Sequence, residues 1–230
     1  MGNSGLIGNF GISMNKPFVE SISNETLAQL PPGAFPGQIV VVDTAEAVAG
    51  ACDFLGQCEV IGFDTETRPS FTKGISNKVS LLQLSSANRA FLFRLNKIAL
   101  EKPLLQLLSS RKVIKVGAAV RDDLRALRQL RRFTPGGFVE LQNLAPEFGI
   151  TDKSLRKLGA ITLHIRISKA QRLSNWEAKQ LTPAQQMYAA TDAWIGRAIY
   201  MEFMKHRPAG IRIEDFARYD DSVAQGNASR

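Results

Sequence analysis

Five residues of this 230-residue chain could bring four carboxylates and a phenol to one place. Asp64 and Glu66 follow an apolar run, Asp123 opens a predicted helix, and Tyr188 precedes Asp192 by four residues on another predicted helix. Carboxylates gathered around one point raise one another's pKa unless a cation compensates their charge. Ligand sets made only of oxygen are the ones that Mg²⁺ and Mn²⁺ prefer. The three motifs therefore predict a divalent-metal site.

The pair Asp64 and Glu66 is a weak signal when taken alone. Strand alternation places both side chains on the same face, as it would at any solvated strand end. Here the apolar run over residues 60–63 indicates a buried strand, from which the pair emerges directly. Two carboxylates in such a position are costly without a cation, which favours metal binding.

Helical phase separates Asp123 from its neighbour Asp122. At about 100° per residue, Asp123 falls within the arc defined by Leu124, Leu127 and Leu130, whereas Asp122 lies at its edge. Asp123 is therefore predicted to point inward. The alternative is an acid that simply favours the N-terminal end of a helix dipole. The arginines of this helix form a stripe roughly opposite Asp123, and we expect that stripe to face solvent.

The last long helix is predicted to begin after Thr182, which is a good N-cap. Pro183 suits the first helical position, and Gln185 completes a capping-box pattern. Within this helix Tyr188 and Asp192 fall on the face that also carries the core residues. Taken alone, such a pair is most often a core tyrosine next to a surface acid. Beside a metal-bound water, the phenol could instead orient the nucleophile while the carboxylate holds the ion.

Side chains close to these motifs in sequence are candidates for contact with a nucleic-acid strand. Basic residues would contact phosphates, and aromatic residues would stack on bases, although plain core packing is the alternative for the aromatic ones. The substrate-contact candidates are Arg68, Phe71, Lys73, Lys169, Arg172 and Trp176.

Composition narrows the class of protein. The 29 Lys and Arg against 21 Asp and Glu, with a pI near 9.7, favour a polyanionic partner. Two cysteines and two histidines offer no zinc template at their spacing. No apolar stretch is long enough to cross a membrane, and no secretory signal is evident. We expect a cytoplasmic protein with no membrane partner, and the sequence leaves its oligomeric state open.

The order of predicted elements indicates an α/β protein. Strands are predicted at 38–42, 60–63, 79–84, 90–94 and 112–116, with a short strand around Val139, and helices at 44–56 and 121–131. Mostly helical sequence follows, so we expect a mixed five-stranded sheet flanked by helices. The predicted organisation is a loosely ordered segment over residues 1–35, a domain over 36–206 and a C-terminal tail over 207–230.

Three segments in fixed order carry a family resemblance: VIGFDTET, KVGAAVRDDL and LSNWEAKQLTPAQQMYAATDAW. They resemble the tyrosine-type DEDD 3′-5′ exonucleases, the family of ribonuclease D and the Werner syndrome exonuclease domain, and the chain looks like a small bacterial single-domain member. The resemblance implies a ribonuclease H-like fold. It also implies hydrolysis of the terminal phosphodiester at the 3′ end of DNA or RNA, single-stranded or recessed, with release of nucleoside monophosphates.

The resemblance further implies a role for each motif residue. Asp64, Glu66 and Asp192 would hold one divalent ion, either Mg²⁺ or Mn²⁺. Asp64 would also contact a second ion, which Asp123 would bind directly or through water, and Tyr188 would align the attacking water. The competing hypothesis is a noncatalytic nucleic-acid-binding module on the same fold, which the presence of all five residues disfavours.

Overall fold

The computed structural model describes residues 17–72, 74 and 77–217, which form a six-stranded sheet covered by helices on both faces. The strands are β1 (Gln38–Val42), β2 (Val60–Thr67), β3 (Val79–Ser85), β4 (Arg89–Phe93), β5 (Ile114–Gly117) and β6 (Phe138–Glu140). The helices are α1 (Asn24–Gln29), α2 (Ala45–Gly56), α3 (Lys102–Ser109), α4 (Val120–Leu130), α5 (Leu141–Leu144), α6 (Leu155–Leu163), α7 (Pro183–Lys205) and α8 (Ile213–Phe216).

The strand order is β1-β4-β3-β2-β5-β6. Strands β2, β3 and β4 pair in antiparallel fashion, whereas β1 pairs parallel to β4, and β5 and β6 continue the sheet in parallel beyond β2. The sheet has six strands rather than the predicted five, because the edge strand β1 and the short strand β6 around Val139 both join it. The prediction of a mixed α/β architecture with flanking helices is confirmed.

Strand β2 is paired unevenly on its two sides. Its residues from Gly62 to Thr67 pair with β3, but on the β5 side the pairing stops at Gly62. Strand β5 ends at Gly117, where an added Cβ would lie 2.6 Å from the Phe63 carbonyl oxygen. The second half of β2 therefore has an open edge, where side chains from both faces of the sheet can meet.

Helix α7 lies directly on one face of β2. An added Cβ at Gly62 would come within 1.7 Å of the Ala193 carbonyl oxygen, so only glycine permits this approach. Thr182 caps the helix and forms the predicted capping box with Gln185, and Pro183 occupies the first turn. None of the helices in the described part of the chain, α7 included, is long and apolar enough to cross a membrane.

Helices α2, α3 and α4 cover the opposite face of the sheet. Their buried side chains form one cluster with Ile61 and Phe63 of β2. The buried side chains of α6 pack with those of α7 in a separate cluster. Odd-numbered β2 residues therefore point toward α4, and even-numbered ones point toward α7. This alternation decides which helix reaches each polar residue at the end of β2.

The segments on both sides of the predicted domain carry buried residues in the described part of the chain. Phe18, Leu27 and Phe35 are buried, the Phe35 amide donates to the Thr191 hydroxyl at 3.0 Å, and Ile213 is buried in α8. The expected loose order is therefore wrong for residues 17–35, because their scattered apolar side chains complete the core around α7. The other predicted domain limits stay predictions.

Candidate active site

The carboxylates of β2 and α7 converge because helix α7 packs so closely on the strand. Oxygen atoms of Asp64, Glu66 and Asp192 all lie within 4.8 Å of one another. Asp64 and Glu66 point to the α7 face of β2 by alternation, and the side chain of Asp192 is buried against them. The predicted grouping of these three carboxylates is thus present in the structure.

Burial raises the pKa of each carboxyl group in this cluster, and neighbouring negative charges add to the rise at Asp64 and Glu66. Burial, followed by the charges of Asp192, Asp123 and Glu66, raises the pKa of Asp64 well above its ordinary value. Burial, followed by the charges of Asp192 and Asp123, raises the pKa of Glu66 to about 8, and burial raises that of Asp192 to about 7. Groups that resist ionisation when close together are stabilised by a shared cation, and an oxygen-only donor set fits Mg²⁺ or Mn²⁺.

Asp123 reaches the cluster from the opposite face of the sheet. Its carboxylate accepts a hydrogen bond of 2.7 Å from the Thr65 hydroxyl at the open edge of β2. Burial raises the pKa of Asp123 to about 7, and its charge contributes to the raised pKa of both Asp64 and Glu66. Asp123 is therefore an electrostatic neighbour of the three-carboxylate group and could share a second ion with Asp64.

The choice of Asp123 over Asp122 by helical phase is confirmed as a statement about direction. Asp122 is exposed and pairs with Arg125 at 2.8 Å on the solvent side of α4. Sequence reasoning missed Thr65, although this residue lies between Asp64 and Glu66 in the sequence of β2. Alternation could have assigned Thr65 to the α4 face, but only the fold shows that Asp123 lies there.

Tyr188 is half-buried beside the carboxylates, and its hydroxyl forms a hydrogen bond with Asp192. Burial and the charges of Asp192 and Glu66 raise the pKa of this phenol, so it stays protonated around neutrality. The Trp176 ring packs under it, with ring centroids 6.0 Å apart. The phenol can therefore donate or orient a hydrogen bond, but it is not poised to accept a proton as a general base.

Two of the predicted substrate contacts are corrected or left untested by the structure. Trp176 has no exposed surface, so the predicted stacking of this ring on a base is wrong; the ring supports Tyr188 instead. Plain core packing, the alternative considered for the aromatic residues, is what the structure shows for Trp176. Lys73 lies outside the described residues.

The other predicted contacts lie on the surface with different surroundings. Arg68 pairs with Glu177 at 3.2 Å, and the Arg172 charge opposes the rise in the pKa of Glu66, which places it near the cluster. Phe71 is 89% exposed, a large apolar ring directed to solvent. Lys169 is exposed in the loop before α7. Their contact with a substrate stays a prediction.

Comparison with known proteins supports a single family. A family model described as 3′-5′ exonuclease matches residues 39–207. The mouse bifunctional 3′-5′ exonuclease/ATP-dependent helicase WRN is 30% identical over 188 residues, which cover 75% of this chain and 13% of that protein. Exonuclease 3′-5′ domain-containing protein 2 of Drosophila melanogaster is 38% identical over 152 residues, covering 64% of this chain and 26% of that protein.

Ribonuclease D of Haemophilus influenzae is 27% identical over 187 residues, which cover 81% of this chain and 46% of that protein. The chain thus spans less than half the length of each of these three relatives.

Solved structures confirm the expected ribonuclease H-like exonuclease fold. Escherichia coli ribonuclease D superposes with a TM-score of 0.66 at 23% identity, covering 73% of this chain and 44% of that one. Trypanosoma brucei ribonuclease D in complex with RNA U12 gives a TM-score of 0.69 at 19% identity, covering 84% and 69%. With the family model matching most of the sequence and the acidic cluster in place, the chain belongs to the 3′-5′ exonuclease family.

Proposed function

We propose that this protein removes nucleoside monophosphates from the 3′ end of a nucleic-acid strand by two-metal-ion hydrolysis. The observation that carries the proposal is the convergence of Asp64, Glu66 and Asp192, with the Tyr188 hydroxyl bonded to Asp192. A structural core has no use for three mutually repelling carboxylates, since each is destabilising without a cation. The net charge of +8 supports a polyanionic substrate.

Each carboxylate has a separate task in this proposal. Asp64, Glu66 and Asp192 would hold one divalent ion, and Asp64 with Asp123 would hold a second. Bound in this way, Mg²⁺ or Mn²⁺ supplies charge stabilisation for the entering and leaving oxygens of the phosphodiester. The Thr65 hydroxyl keeps one Asp123 oxygen occupied, which fixes the direction of the other.

Tyr188 would orient the attacking water through its hydroxyl. Because its raised pKa keeps the phenol protonated, the residue contributes position rather than proton abstraction. Trp176 and the α7 backbone hold the ring in place, so the hydroxyl is fixed before substrate arrives. Removing the hydroxyl should therefore lower turnover without removing a metal ligand.

Surface side chains around the cluster would position the strand. Arg172 lies near enough to influence Glu66, and its guanidinium group would meet the terminal phosphate. Phe71 would stack on a base, because its exposed ring lies four residues beyond the end of β2, the strand that carries Asp64 and Glu66. Arg68 is held by Glu177, so a substrate phosphate would have to compete with that carboxylate.

The test is digestion of matched DNA and RNA oligonucleotides labelled at their 5′ ends, with Mg²⁺ or Mn²⁺. We expect a ladder that shortens from the 3′ end, with mononucleotides as products. Asp64→Asn serves as the inactive control, since it removes a metal ligand and little volume. Binding without shortening of either polymer would favour the noncatalytic module instead. A small bacterial source and a cytoplasmic location stay predictions.

A further inference from the structure

Helix α4, which carries Asp123, begins at a strained N-cap residue that cannot cap the helix with its own side chain. Its N-cap residue is Ala119, whose φ of 60° and ψ of 27° lie in the left-handed region. Residues with a Cβ avoid this region, and alanine has no side-chain oxygen with which to cap the exposed N–H groups of the first turn. The helix itself therefore supplies no side-chain cap for its first turn and no stabilisation of the left-handed conformation at Ala119.

Glu140 supplies the missing cap from the end of the neighbouring strand β6. Its Oε1 accepts from the Ala119 amide at 3.0 Å, and its Oε2 accepts from the Val120 amide at 2.7 Å. Gln142 donates a third backbone hydrogen bond of 3.3 Å to Oε1. A carboxylate in this position also interacts favourably with the positive end of the helix dipole. Glu140 thus clamps the strained turn with both of its oxygens.

The clamped turn determines where Asp123 lies. The Ala119 carbonyl accepts from the amides of Asp122 at 3.1 Å and Asp123 at 3.5 Å, so the first turn is built directly on Ala119. From this turn the Asp123 side chain extends to Thr65 on β2. A rotation of the Ala119 peptide would therefore move the Asp123 carboxylate relative to the other three.

Toward Asp123 itself, the charge of Glu140 is electrostatically unfavourable. The Glu140 charge helps to raise the pKa of Asp123, so it opposes the ionised form that a metal ligand needs. For Asp123 the advantage of Glu140 is therefore geometric, since two parallel hydrogen bonds to adjacent amides fix the turn in a way that a neutral side chain cannot.

We infer that Glu140 is a positioning residue, which sets the placement of Asp123 for the second metal ion by clamping the Ala119–Val120 turn. This inference rests on the proposed function and assigns Glu140 no contact with substrate. Partners that orient a metal ligand in this way typically contribute about 10- to 100-fold to metal affinity or activity.

The test compares Glu140→Gln with Asp122→Asn. Glutamine keeps the shape but can accept only one of the two N–H groups, whereas Asp122→Asn removes a negative charge near Asp123 and leaves the clamp intact. We expect Glu140→Gln to lower kcat by about 10- to 100-fold with little change in KM, and to weaken one of two Mn²⁺ sites by a similar factor. Asp122→Asn should stay close to wild type in both measurements.

A second substitution separates positioning from general stability. Ala119→Gly relieves the left-handed strain, so in the Glu140→Gln background it should recover a measurable part of the lost Mn²⁺ affinity and turnover. Unchanged or increased Mn²⁺ affinity in Glu140→Gln would overturn the inference, and so would the absence of any recovery in the double variant. If the wild-type protein cuts no nucleic acid, the proposed function fails, while the Mn²⁺ titration still decides the role of Glu140.

Discussion

Replacing Asp192 by asparagine should stabilise the metal-free protein. Asp192 is 9% exposed and lies among Asp64 and Glu66, so ionising it in the folded protein brings a charge into a repelling, poorly solvated cluster. Asparagine has a similar volume and can still accept the hydrogen bond from Tyr188. The substitution therefore removes the repulsion and little of the packing.

The size of the effect follows from the raised pKa. Burial raises the pKa of Asp192 from 3.8 to about 7. Once the carboxyl is ionised in both the folded and the unfolded protein, a shift of this size lowers the free energy of unfolding by about 4 kcal/mol. Because the clustered carboxylates titrate as a coupled set, we expect Asp192→Asn to raise the free energy of unfolding by roughly half of this amount, about 2 kcal/mol. For a chain of this length that corresponds to a Tm about 4–8 °C higher.

The sign of the pH dependence is fixed by the same shift. Between pH 3.8 and about 7 the folded protein holds a proton on Asp192 that the unfolded chain has lost, so wild-type stability falls as pH rises. The advantage of Asp192→Asn should be near zero at pH 4 and complete by pH 8. Addition of Mn²⁺ should make the wild-type protein more stable than Asp192→Asn, because only the wild-type protein retains the full set of metal ligands.

The assay is thermal unfolding in EDTA and in Mn²⁺ at pH 4, 6 and 8. Asp53→Asn is the matched control, because it removes an exposed carboxylate of α2 far from the cluster and should change Tm little under any condition. A Tm for Asp192→Asn at or below wild type at pH 8 in EDTA would refute the claim that the three carboxylates repel one another in the folded protein.

Three further predictions test other parts of the site. Tyr188→Phe should lower kcat about 10- to 100-fold while the Mn²⁺-induced rise in Tm stays at the wild-type value; loss of that rise would make the phenol a structural support. Mn²⁺ affinity, measured by titration from pH 6 to 9, should increase until Glu66 is ionised near pH 8, and a flat profile would contradict its raised pKa. Gly62→Ala should lower the free energy of unfolding, measured in urea, by about 3 kcal/mol, because the added Cβ would overlap the Ala193 carbonyl oxygen. An unchanged free energy of unfolding would contradict the close packing of α7 on β2.

Local sequence rules predicted the features that depend on one element at a time. Helical phase separates Asp123 from Asp122, and the cap at Thr182 marks the start of α7, because both follow from the geometry of a single helix. Alternation along β2 likewise predicts that Asp64 and Glu66 share a face. The family resemblance then supplied the fold that joins these elements.

Features that depend on contacts between distant segments could not be predicted in this way. Burial of Trp176 under Tyr188 requires the loop before α7 to fold against the sheet, and nothing in the neighbouring sequence indicates that. Packing of Phe18 and Phe35 was missed because isolated apolar residues in a Gly- and Pro-rich segment carry no periodicity. The clamp between Glu140 and Ala119 joins residues 21 positions apart, and the left-handed turn at an alanine has no sequence signal.

The most direct test of the central claim is digestion of one single-stranded oligonucleotide in linear and circular form, with wild-type protein and Asp192→Asn in Mn²⁺. We expect wild type to release mononucleotides from the linear strand, starting at its 3′ end, and to leave the circle intact, whereas Asp192→Asn releases none. Cleavage of the circle, or release of mononucleotides by Asp192→Asn at the wild-type rate, would contradict a carboxylate-dependent 3′-5′ exonuclease.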